Sequence, residues 1–94
     1  MPAAIDDLVT PSPLIISRTM ESGAILMNTA NGECFELNRL GATVWDAVGR
    51  GLRLDQVVDD IVRTCDVDVA TASADVLRLI DGLAQQGIVS VARR

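Results

Sequence analysis

The stretch 31-NGECFELNRLGATVW-45 decides how this chain of 94 residues folds. Asn31-Gly32 is a turn pair of the kind that joins hairpin strands. Glu33-Cys34-Phe35-Glu36-Leu37 then alternates polar and apolar, the period of a half-buried strand. Phe35 and Leu37 share one face; Cys34 and Glu36 share the other. Asn38 follows as a helix cap, its side-chain oxygen able to accept an orphan amide of the first turn. Leu40, Val44, Trp45 and Val48 recur at helical spacing, which predicts a helix over 39–48. A strand therefore runs directly into a helix.

Upstream, the β-branched run "LIISR" (14–18) reads as a first strand, "TMESG" (19–23) as a turn and "AILMN" (24–28) as a second strand. With "TANG" (29–32) as the next turn, residues 14–37 form an antiparallel meander. All three prolines fall in residues 1–13, which read as a flexible N-terminal arm ahead of a domain over 14–94. Downstream, Gly49 and Gly51 end the first helix. A second helix over 54–65 has the stripe Leu54, Val57, Val58, Ile61, Val62 and Cys65. "DVD" (66–68) is a turn, with Asp66 and Asp68 as turn and cap residues. A third helix over 69–86 carries Val69, Ala72, Val76, Leu79, Ile80 and Leu83, and Gly87 stops it. "IVSV" (88–91) is a last short strand or an extended tail. Three strands followed by three helices make an α+β domain, and the last two helices have the outline of a helix-turn-helix.

Composition removes most chemistries. The chain has no His and a formal net charge of −5. Without His it lacks the usual general base and the usual metal ligand at neutral pH. It has no Lys, and its eight Arg are scattered apart from Arg93-Arg94, which disfavours binding to nucleic acid. Cys34 and Cys65 form no CxxC pair, so neither zinc nor dithiol redox chemistry is supported, and two free thiols suit a reducing cytoplasm. No apolar run approaches the ~20 residues of a membrane helix, and the start of the chain lacks the features of a secretion signal. "DVDVATASAD" lacks the central glycine of a calcium loop. The glycines form no phosphate-binding pattern. Gly41 and Gly82 stand inside helices; close packing is the first reading of both, and room for a ligand is the alternative for Gly82. Cys34 has no His or Lys to activate it as a nucleophile. No catalytic, metal or cofactor site is expected.

What remains is a surface. In a meander the strand 33–37 lies at the edge, with a row of unpaired N–H and C=O groups. An edge strand beside an apolar helix suits an extended peptide, the backbone ladder giving affinity and side-chain pockets giving specificity.

"GECFELNRLGATVWDAV", then "LDQVVDDIV", then "DVLRLIDGLAQQGIV" resemble in order the PqqD-like module, also called the RiPP recognition element. The likeness covers about residues 14–89; its specificity lies in the ordered set. It implies a winged helix-turn-helix with a three-stranded antiparallel sheet followed by three helices. It implies binding of the leader segment of a ribosomal precursor peptide as a fourth strand. In this sequence that maps to Glu33, Cys34, Phe35, Glu36 and Leu37 and to the outer side of the third helix: Ala72, Asp75, Val76, Leu79, Gly82 and Leu83. Glu33, Glu36 and Asp75 would make that groove acidic. The Leu-Asn pair and Trp45 are most similar to the free-standing leader-binding proteins of lasso-peptide biosynthesis. Those work with a leader peptidase and a macrocyclase. Cys34 departs from the aromatic often found there in such relatives. Three alternatives stay open: a PqqD-type chaperone for a radical-SAM enzyme, a winged-helix DNA-binding regulator, and a small enzyme or enzyme subunit.

Overall fold

The computed structural model describes residues 8–92. Its order is β1 (Leu8–Pro11), β2 (Ile15–Met20), β3 (Gly23–Asn28), β4 (Cys34–Asn38), α1 (Arg39–Gly49), α2 (Leu54–Thr64), α3 (Val69–Gln85) and β5 (Val89–Ala92). β2, β3 and β4 form the expected three-stranded antiparallel meander, with β3 in the centre. The three helices follow it as read.

β1 is a correction. Residues 8–11 were expected in a loose arm, but they pair antiparallel with β5, Val9 opposite Val91 and Pro11 opposite Val89. Ser12 donates its N–H to the Ile88 carbonyl at 2.9 Å, so by alternation Pro11 opposite Val89 is a non-bonded pair, where a missing N–H costs no ladder bond. The same pairing settles "IVSV" as a strand rather than a tail. Val9 and Ile88 are both fully buried, so the ribbon is part of the core. Residues 1–7 of the expected arm lie outside the described residues.

The sheet has one covered and one bare face. Ala24 and Leu26 of β3 point under the helices and are sealed from solvent, while Ile25 and Met27 point the other way and stay half-exposed. Beneath the helices, Leu26 meets Val44 and Val48 of α1, Leu54, Val57 and Ile61 of α2, and Val76 and Ile80 of α3 in one aliphatic cluster. Trp45, Phe35 and Leu37 pack half-buried around it. Fully burying each such aliphatic side chain is worth about 1.5–3 kcal/mol. Cys65 is the exception to the second helix's stripe. It is exposed at the α2 C-cap, because the helix ends one residue earlier.

Two glycines are fixed by space. Gly23 closes the β2–β3 turn opposite Asn38, and a Cβ there would overlap the Leu37 carbonyl of β4. Gly41 is buried in the first turn of α1; a Cβ there would come within 3.1 Å of the Leu37 Cβ. The close-packing reading therefore holds for Gly41. For Gly82 it does not, since an added Cβ meets nothing within 4 Å.

Candidate functional site

The site begins where β4 becomes α1. Asn38 caps α1 through its side chain, and Gly41 lets the first turn lie against Leu37. Opposite this junction stands α3, itself capped by Asp68, whose carboxylate accepts the Thr71 N–H at 2.7 Å. That bond, aided by the Thr71 hydroxyl, holds the Asp68 carboxyl below its usual pKa. Between the junction and α3 opens a groove of about 370 Å³, lined by Asn38, Leu40, Gly41, Val44, Asp75, Arg78 and Leu79.

The last residue of β4, Asn38, lines this groove, so the strand ends at it. Asn28 donates its N–H to the Glu33 carbonyl at 2.9 Å. Given the register of Leu26 with Phe35 and Ala24 with Leu37, alternation makes those the bonded pairs. The N–H and C=O of Cys34 and Glu36 therefore point outward, and among the described residues no strand lies beyond β4 in the sheet. Cys34 and Glu36 thus offer backbone to the open edge, while their side chains stand on the bare face of the sheet. Phe35 and Leu37 stand half-buried on the helix side. Glu33 is exposed at the turn, within 3.4 Å of the Asn31 amide.

Along α3 the residues read as one outer surface divide in two. Ala72, Val76 and Leu83 are core, at 2%, 0% and 6% exposure, and present no surface to a ligand. Asp75, Leu79 and Gly82 lie on the accessible side, which Arg78 shares. The periodic stripe was sound, but α3 is apolar on two adjacent faces, and only one is covered.

The sign of the groove also differs from the acidic reading. Arg78 pairs with Asp75 at 3.3 Å, and Glu36 turns away. Acid and base are balanced there, in a setting otherwise apolar through Leu40, Val44 and Leu79. Sequence reasoning did not place Asn38, Leu40, Gly41, Val44 or Arg78 at the site. Leu40 and Val44 were legible as a helical stripe, and the tight strand-to-helix step was the clue that their helix begins beside the edge. Arg78 is the one cation of α3, and it is held by Asp75, so the helix offers little to a nucleic-acid backbone. No described helix is long and apolar enough to cross a membrane.

The profile of coenzyme PQQ synthesis protein D (PqqD) matches residues 23–89, from β3 to the start of β5. The chain belongs to the PqqD family. Among solved structures, this PqqD-family chain is similar to TbiB1 in complex with the TbiA(beta) leader peptide. The two share 23% identity over 86% of this chain and 94% of that one, with a TM-score of 0.82. It is also similar to a lasso peptide synthetase B1 complexed with the leader peptide, at 21% identity over 87% and 96%, with a TM-score of 0.80. Both likenesses confirm the winged α+β fold. No curated protein matches the chain.

Proposed function

We propose that this PqqD-family protein binds the leader segment of a ribosomally made precursor peptide and is not itself an enzyme. The leader adds as a strand to β4 and lays side chains into the groove under α3. The observation that carries this reading is the open edge of β4 at Cys34 and Glu36, in a strand whose last residue, Asn38, lines a groove with Leu40, Val44 and Leu79. The two similar structures, each holding a leader peptide, support a lasso-peptide setting. In that setting the protein hands the leader-bound precursor to a leader peptidase, and through it to a macrocyclase, in the cytoplasm.

Titrating a labelled leader segment against the protein tests the reading. Saturable binding is expected for the leader half of the cognate precursor and none for its product half. Equal affinity for both halves would contradict it. The family's description, coenzyme PQQ synthesis protein D, supports a second pathway setting; in it the protein would be a chaperone for a radical-SAM enzyme, as the resemblance to PqqD implies. Leader binding would be the same there, and only the enzyme that co-purifies with the complex would differ.

A further inference from the structure

We propose that the bare face of the β2–β3–β4 sheet is a self-association surface, against which a second copy of this chain packs face to face. The proposal does not depend on the leader reading, because this face lies on the opposite side of the sheet from the helices.

Two cross-strand rows compose the face. One runs Ile16, Met27, Cys34; the next runs Arg18, Ile25, Glu36. Ile16 is 55% exposed and Met20, further along β2, is 42% exposed, high values for apolar side chains on a sheet. Ile16, Ile25, Met27 and Cys34 surround a shallow hollow of about 190 Å³. Neither Arg18 nor Glu36 has an ion-pair partner among the described residues. They flank Ile25 on opposite strands, so Ile25 keeps them apart within one copy.

This pattern is self-complementary in one arrangement. A two-fold axis lying in the interface and running nearly along β3 places β2 over the partner's β4. Arg18 then faces the partner's Glu36, twice by symmetry, while Ile25 meets Ile25 and Met27 meets Met27. Sheets packed this way sit about 30° apart, which a small tilt of the axis supplies. An axis across the strands would instead put Arg18 on Arg18 and Glu36 on Glu36, or, passing between the rows, set both charges against Ile16 and Cys34, and neither placement pairs opposite charges. The leader edge and the α3 groove stay open in both copies.

The area sets the strength. Strands of about six residues, three abreast, cover on the order of 300 Å² of sheet per copy. A standard interface takes about 800 Å² per partner, so association belongs at high protein concentration.

Sedimentation equilibrium on the full chain tests this. The average mass should rise from the 10.0 kDa of one copy toward twice that by about 1 mM protein. Arg18→Glu and Glu36→Arg alone should each weaken association at least about tenfold. Arg18→Glu combined with Glu36→Arg in one chain should restore it. These are exposed side chains, so circular dichroism should report an unchanged fold in each variant. A mass that stays at one copy up to about 1 mM, or a double variant as weak as the singles, would overturn the proposal. So would an arrangement in which the singles associate as well as the parent.

Discussion

The Asn38 side-chain oxygen accepts the backbone N–H of Gly41 at 2.8 Å, and this one bond joins the last residue of β4 to the first turn of α1. It fixes the angle at which the open edge meets the groove. Asn38→Ala removes the cap, which costs about 1 kcal/mol. For a domain of this size that is a melting point lower by about 4–8 °C, measurable by differential scanning calorimetry. Leader affinity should fall as well, since the edge and the groove lose their fixed relation. An unchanged melting point would mean that the junction is held by packing at Gly41 alone.

Leu79 and Ile80 separate site from core within one turn of α3. Ile80 is fully buried, and Ile80→Ala should cost about 2–5 kcal/mol of stability. Leu79 is half-exposed and lines the groove. Leu79→Ala should leave the protein folded and weaken leader binding by about tenfold, the worth of one apolar anchor. Full affinity in a folded Leu79→Ala protein would remove Leu79 from the site.

Gly82 lies exposed in α3 with open space where a Cβ would stand. Gly82→Ala should therefore raise stability by about 0.5–1 kcal/mol, through helix propensity. A denaturant titration reads this directly. A loss of stability would show that the backbone at Gly82 is packed after all.

How far the sequence was legible is clearest in this helix and at the chain's start. The meander, the strand-to-helix step at Asn38 and the Asp68 cap are local, written in alternation and in short polar side chains, and all were readable. β1 was not, because "LVTP" has no strand pattern of its own; it becomes a strand only by pairing with β5, some eighty residues on. Nor could spacing alone tell Val76 from Leu79. Both fit the apolar period of α3, and which is sealed depends on where α2 and the sheet lie. The groove's charge failed for a similar reason, since the side to which Glu36 points and the pairing of Arg78 with Asp75 are properties of the assembled fold.

The α3 cap carries a pH dependence. Hydrogen bonds from Thr71 hold the folded-state pKa of Asp68 below its ordinary value of 3.8. The unfolded chain therefore takes up a proton first as pH falls. The cap's stabilisation is complete above that ordinary value and is lost as pH drops through the folded-state pKa. Carbon-13 NMR titration should place the Asp68 carboxyl below its ordinary value of 3.8. In Asp68→Asn the acid limb of the stability curve should be shallower. An Asp68 that titrates at that ordinary value would contradict the cap's electrostatic role.

The central claim, that a leader adds as a strand to the open edge of β4, is tested most directly by an N-methyl scan of the leader. Alternate residues of β4, Cys34 and Glu36 among them, turn their N–H and C=O to that edge, so only alternate leader residues can pair with it. A series of leader peptides, each methylated at one successive backbone nitrogen, would be titrated against the protein. The account predicts affinity lost at every second position over about four residues, each lost bond costing about 0.5–1.5 kcal/mol before any steric clash, with the intervening positions nearly silent. A flat profile, or losses at every third or fourth position, would mean that the leader binds as a helix or by side chains alone and would contradict it.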